Sequence, residues 1–113
     1  MSDYKYRDKL LRKMGFQSYW YYLSSDLWKK EIRPKVIKEF NSKCMICKRK
    51  ASKPEVHHLE YNESNLAGTS INGMIVLCRS CHKKAEFKRG KKRSMSQVND
   101  YITNMIIKNK RRR

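Results

Sequence analysis

The sequence predicts a small α+β fold: a hairpin-and-helix core stapled by a metal ion, with helices flanking it on both sides. Three observations predict it. Two Cys-x-x-Cys pairs, Cys44–Cys47 and Cys78–Cys81, use every cysteine of the chain. The apolar-flanked run Val56 to Leu59 and the run Met74 to Leu77 read as the strands of a hairpin, and a helical pattern opens at Arg79 soon after the second run. The chain is also too polar to rest on apolar burial alone. Its 113 residues make one domain with a modest core, 34% of them are charged and the mean hydropathy is −0.91. A structural metal is a common supplement in folds of this size. The expected organisation is a single domain over 1–113, with a helical N-terminal extension (1–40), a metal-stapled core (41–90) and a basic C-terminal helix and tail (91–113).

Each element has a local reason. Residues 3–14 have helical character, with Asp3 as a possible N-cap and Gly15 just past the end. An aromatic cluster follows, Phe16, Tyr19, Trp20, Tyr21 and Tyr22, which reads as core or as a surface for stacking on bases. Ser25 can cap a helix running to Phe40, whose residues Trp28, Ile32, Val36 and Phe40 share a face. Pro34 lacks an N–H and crowds the preceding turn, so a kink or break is expected near Arg33. Residues 41–55 read as a loop around the first cysteine pair. Residues 60–73 read as a polar loop. A helix is expected from Arg79 to about Lys88, ended by Gly90. Ser94 with Gln97 is a capping-box signature, and Val98, Tyr101, Ile102, Met105 and Ile106 follow a helical apolar stripe.

No run approaches the 18 apolar residues of a membrane span, and Met1 to Lys13 has no secretory core. The expected setting is the reducing cytoplasm, where paired cysteines hold metal more often than they form disulfides. Zinc favours four tetrahedral thiolates, and each Cys-x-x-Cys turn presents two sulfurs to one point. Cys44, Cys47, Cys78 and Cys81 therefore form a candidate site for one structural Zn²⁺, set against free buried thiols or two disulfides. The formal charge of +18 points to a polyanion partner. Residues 83–113 hold 12 Lys and Arg against Glu86 and Asp100, more than half of that excess. Candidates for nucleic-acid contact are Arg79, Lys83, Lys84, Lys88, Arg89, Lys91, Lys92, Arg93, Arg111, Arg112 and Arg113. A membrane surface fits less well, because these stretches lack a lipid-facing stripe.

All three histidines, His57, His58 and His82, lie beside the cysteine pairs. The bland reading is that they are core groups or props for the zinc ligands. The sharper reading is that two imidazoles hold a second divalent ion while a third acts as a base near neutral pH. His57 and His58 are adjacent, and neighbours on a strand point to opposite faces, so they are expected to play different parts.

Taken together, Cys44-x-x-Cys47, Val56-His57-His58-Leu59 and Leu77-Cys78-x-x-Cys81-His82-Lys83 resemble the HNH endonucleases, whose ββα-metal site sits on a treble-clef zinc frame. The lead-in from Tyr22 through Trp28 to Val36 is similar to small HNH proteins common in phages, so the resemblance spans about residues 20–90. It implies that His57 is a metal ligand, His58 the general base that activates water, and His82 a second metal ligand. Glu86, one turn beyond His82, can join as a ligand of Mg²⁺ or Mn²⁺, with other divalent transition ions also possible, or form a surface ion pair. The family usually has Asn or Asp where Gly73 stands here; Asn72 in a shifted register, or Asn62 or Asn65, would take over the bracing of the hairpin loop. The implied function is a metal-dependent endonuclease acting on double-stranded DNA, nicking as a single site, with neither a membrane nor a small molecule as partner. A homodimer or a larger phage nucleoprotein complex, in the host cytoplasm, is the implied setting. The rival reading is a catalytically silent zinc-stabilised DNA-binding module or an accessory subunit, and an RNA-directed nuclease is a third.

Overall fold

The computed structural model describes residues 3–111; Arg112 and Arg113, expected to touch nucleic acid, lie outside the described residues. Helix α1 (Asp3–Lys13) gives way to Gly15 at φ +96°, whose N–H donates to the Arg12 carbonyl. A short helix α2 (Tyr19–Ser24), not anticipated from the sequence, is capped by Ser18, whose hydroxyl accepts the Tyr21 N–H. Ser25 opens the next segment as expected, accepting the Trp28 N–H. That segment begins as a π-helical turn (Leu27–Ile32) and becomes α3 (Arg33–Glu39). The break expected near Arg33 is thus a change of helix type. The Arg33 N–H reaches back five residues to the Trp28 carbonyl, and Pro34 falls in the first turn of α3, where a missing N–H costs little.

Residues 42–51 form a tight knuckle. Cys44 N–H donates to the Arg49 carbonyl, Lys48 N–H to the Cys44 carbonyl, and Ala51 N–H to the Ser42 carbonyl. Met45 N–H donates to Val76, which ties the knuckle to the hairpin. The hairpin pairs β1 (Glu55–His58) with β2 (Met74–Leu77) antiparallel, Val56 opposite Val76 and His57 opposite Ile75. Its connection is not only loop: it contains α4 (Glu63–Ala67), closed by a reciprocal cap between Asn62 and Asn65. Helix α5 (Arg79–Glu86) follows β2 at once and completes a ββα unit.

The sequence put the end of this helix near Lys88, with Gly90 as its stop. Instead α5 ends at Glu86, and a two-residue hairpin, β3 (Phe87–Lys88) with β4 (Lys91–Lys92), turns through Arg89 (φ 51°) and Gly90 (φ +79°). A run of charged residues with no apolar stripe has nothing to hold it on the helix. Helix α6 (Met95–Arg111) opens with the expected capping box, Ser94 and Gln97 exchanging backbone-to-side-chain bonds of 3.0 and 3.3 Å.

Strand β2 is buried along its whole length because it serves two cores. Met74 and Val76 face one built from α1, α2, Trp28, Ile32, Val36 and Leu66. Ile75 and Leu77 face another with Cys44, Ile46, Ala85, Val98 and Ile102. The period of two along the strand thus welds the N-terminal helices to the cysteine frame and α6. The aromatic cluster divides in the same spirit. Tyr22 is fully buried, its hydroxyl donating to the Leu66 carbonyl at 2.7 Å, while Trp20 is 67% exposed.

Candidate metal centre and catalytic cavity

The four cysteines converge. All are free thiols, and their sulfurs lie within 4.8 Å of one another. Cys47 Sγ and Cys78 Sγ are 4.0 Å apart, close to the ~3.8 Å edge of a tetrahedron with 2.3 Å metal–sulfur bonds. Two turns deliver them. The knuckle presents Cys44 and Cys47, and the first turn of α5 presents Cys78 and Cys81, with Cys78 Sγ accepting the Cys81 N–H. The electrostatics suit a cation. Burial raises the Cys44 thiol, but backbone N–H donors at Cys47, Cys78 and Ile46 outweigh it and hold it down to about 7. Burial, then the neighbouring Cys78 and Cys44, push the Cys81 thiol up. Four sulfurs this close cannot all ionise without a positive charge among them, so the donor set fits one zinc ion.

A second donor set lies on the same frame. One ligand atom each from His57, His82 and Glu86 falls within 4.8 Å of the others. The His57 and His82 rings are edge to face, 5.3 Å between centroids. His82 Nε2 is 3.1 Å from a Glu86 oxygen, as the one-turn spacing on α5 allows. Two imidazoles and a carboxylate fit a divalent ion of the Mg²⁺ to Mn²⁺ class or a later transition ion.

Three residues that the sequence reading left unassigned complete the surroundings. Glu55 shares a face of β1 with His57, and its carboxylate accepts from His82 Nδ1 at 2.8 Å while lying 3.5 Å from Arg79 Nε. Its signal was the period of two on the strand. Asn99 of α6 contacts His57 Nε2 at 3.1 Å and donates to the Leu59 carbonyl at 2.7 Å. Arg7 of α1 lies over the Tyr19 ring at 4.1 Å and the Tyr61 ring at 5.6 Å, paired with Asp8. Neither Asn99 nor Arg7 has a local sequence signal.

His58 occupies the opposite face of β1. It is 3% exposed and stacked between Tyr61 (4.9 Å) and Trp28 (5.4 Å), with Tyr19 at its edge. Burial, with the charges of His57 and Arg7, pushes its pKa down to about 4. Among the described residues its Nε2 has no hydrogen-bond partner. Even so, one cavity of about 440 Å³ is lined by His57, His58, His82 and Glu86 together with Arg7 and Lys92.

The loop-bracing amide is Asn65, fully buried, which donates to the carbonyls of Glu60 and Asn72 and accepts the Asn62 N–H. Asn72 itself is exposed, and its backbone carries the loop contacts. Gly73 is required where it stands: at φ +86°, a Cβ there would lie 2.7 Å from Glu60 Cγ. Of the expected nucleic-acid contacts, Arg79, Lys83, Lys84, Lys88, Arg89, Lys91 and Lys92 are exposed. Arg93 is half-buried; it donates to the Lys84 and Ala85 carbonyls and caps α5. Arg111 closes α6.

Compared with protein-family models, residues 44–88 match HNH, the HNH endonuclease family. The matched segment holds both cysteine pairs, all three histidines and Glu86, so it is an HNH-type segment and the kind of activity it supports is that of a nuclease. Neither curated proteins nor solved structures gave a match. No helix among the described residues is long and apolar enough to cross a membrane.

Proposed function

We propose that this chain is a metal-dependent DNA endonuclease that hydrolyses phosphodiester bonds. The observation that carries the reading is the shared cavity: the three-donor cluster of His57, His82 and Glu86 and the residue His58 line it together, on a frame that could hold zinc. His57, His82 and Glu86 would hold a divalent ion, which would supply Lewis-acid stabilisation of the charge that builds at the phosphate. The chain's own groups do the rest. His58, kept neutral by burial, takes the proton of the attacking water at Nε2. Its Nε2 is closed to solvent in this structure, so the attacking water reaches it only when the aromatic rings around it part. Glu55 holds the His82 ring through Nδ1, so that Nε2 is directed toward Glu86. Arg7 and Lys92 bring positive charge to the cavity, and the exposed lysines and arginines of α5 and the β3–β4 hairpin grip the phosphate backbone without reading sequence. One such donor cluster among the described residues suits nicking of duplex DNA. The four zinc-ready thiols suit the cytoplasm, that of a bacterial host if the chain is phage-borne.

One observation favours the rival reading of a silent DNA-binding module: the burial of His58 is also what a structural aromatic cluster would show. A plasmid-nicking assay with Mg²⁺, Mn²⁺, Co²⁺ and Zn²⁺, run on wild type and His58→Ala, separates the two. Cleavage by wild type and its loss in the variant is the expected result. DNA binding with no cleavage in any metal establishes the module instead.

A further inference from the structure

Helix α6 lies wholly outside the matched segment, yet it reaches the candidate ion site through one side chain. Asn99 touches two groups of β1 and its exit: Nδ2 faces the Leu59 carbonyl at 2.7 Å, and Oδ1 faces His57 Nε2 at 3.1 Å. The orientation of this amide is fixed by chemistry. A carbonyl oxygen can only accept, so the atom facing Leu59 must be the NH₂ group. The atom facing His57 is then the amide oxygen, which can only accept in turn. His57 must therefore carry its hydrogen on Nε2, and a neutral imidazole has only one N–H. Its lone pair is left on Nδ1. The same helix is anchored a second time by Asn109, which donates to the Ile46 carbonyl of the cysteine knuckle, so α6 is tied to the core at two points and Asn99 does not sit on a free arm.

We propose that Asn99 is a positioning residue that holds His57 as the Nε2–H tautomer and so selects Nδ1 as the nitrogen that meets a divalent ion. This rests on the reading of His57, His82 and Glu86 as an ion site. It gives the C-terminal helix a part in the chemistry beyond adding positive charge, and it pairs with Glu55, which orients His82 from the other side. Carboxylate or carbonyl partners that fix a ligand's tautomer typically change metal affinity 10–100-fold when removed.

The test uses the full chain with zinc retained in the cysteine site and no other metal, at fixed neutral pH. Long-range ¹H–¹⁵N spectra of the imidazoles report the tautomer directly, and Mn²⁺ titration followed by electron paramagnetic resonance reports affinity. Wild type should show His57 as Nε2–H. Asn99→Leu should populate the Nδ1–H form and bind Mn²⁺ about 10–100-fold more weakly. Asn99→Asp keeps an acceptor for Nε2 but loses the donor to Leu59, so it should melt at a lower temperature yet keep the tautomer and bind Mn²⁺ at least as tightly as wild type. A purely structural Asn99 would make the two variants alike in these readouts. If Asn99→Leu does not fold, the wild-type tautomer and Asn99→Asp decide. Nδ1–H in wild type overturns the proposal, as does an Asn99→Leu protein unchanged in tautomer and affinity. Cleavage alongside the Nδ1–H form would overturn this inference and leave the nuclease reading intact. The expected tautomer and affinities without cleavage in any metal would do the reverse.

Discussion

The two faces of β1 are opposite environments one residue apart. On one face, Glu55 and His57 meet His82, Glu86, Arg79 and Asn99, a polar network directed at α5 and α6. On the other, Val56 and His58 meet Trp28, Tyr19 and Tyr61, an aromatic wall supplied by the N-terminal helices and the hairpin loop. The first face offers lone pairs and carboxylates to a cation. The second strips a histidine of polar partners and holds it neutral, its pKa pushed down to about 4. A pleated strand enforces the split, because neighbouring side chains cannot share a face. What the difference teaches is that two adjacent histidines acquire different chemistry from what packs over each of them rather than from their own sequence neighbours.

The largest effect should come from removing the frame that supports the polar face. Cys78→Ser takes away a sulfur of the four-thiol cluster while leaving a hydroxyl that can still cap the start of α5. Metal binding by such clusters is coupled to folding. The purified wild type should carry one zinc per chain, and the variant should lose it together with its cooperative melt, measured by metal analysis and calorimetry. A well-folded, zinc-free protein would show that the two apolar cores suffice.

The two faces should then separate in cleavage. His58→Ala should retain Mn²⁺ and DNA binding and lose about 10²–10⁴-fold in rate, the range for a lost general base. His82→Ala should lose metal affinity, so that raising Mn²⁺ restores part of its activity, while the same excess leaves His58→Ala slow. Equal rescue of both variants in metal-titrated nicking assays would erase the functional contrast between the faces.

The aromatic face should also be visible in stability against pH. The unfolded chain protonates His58 near the ordinary 6.5, the folded chain only near 4, so between these values protons favour unfolding. His58 therefore costs nothing above pH 6.5, and stability falls as pH drops toward 4. The loss is about 3 kcal/mol, at 1.36 kcal/mol per unit. His58→Phe, which keeps an aromatic ring between Trp28 and Tyr61, should flatten this slope in denaturant melts across pH 4 to 7 (a range set by the ordinary histidine pKa). Taking the difference between the two proteins cancels the acid sensitivity of the cysteine site, which both share. An identical slope in the variant would mean that His58 is not held neutral by its surroundings.

What could be read from the sequence follows from the range of the interactions. The cysteine frame, the β1–β2 hairpin and the apolar stripe of α6 were legible because spacing or period alone defines them, as in Val98 and Ile102 one turn apart. Helix α4 was not, because its cap is Asn62 with Asn65 rather than the usual serine and glutamate pair, in a segment otherwise polar enough to read as loop. The β3–β4 hairpin was missed because the charged run after Glu86 carries no period of either kind. The exact partners of the histidines, Trp28 for His58 and Asn99 for His57, lie 30 and 42 residues away in sequence and were invisible to any local pattern. Glu55 was the exception within reach: two residues before His57 on a strand, it had to share that face.

Glu55 also gives the finest test of the contrast. Its carboxylate accepts from His82 Nδ1 at 2.8 Å and lies beside Arg79, so it orients a ligand without being one of the three clustered donors. Glu55→Gln keeps the size and can still accept through its amide oxygen, but loses the negative charge beside the ring. Mn²⁺ affinity should fall by about tenfold, at the low end for such supporting groups, and excess metal should restore cleavage fully. The change in acid slope caused by His58→Phe should be the same in the Glu55→Gln background, because His58 lies on the other face of the strand, beyond the polar network that Glu55 serves. A Glu55→Gln protein that lost rate without losing metal affinity, or in which His58→Phe changed the acid slope by a different amount, would mean that the two faces of β1 are coupled.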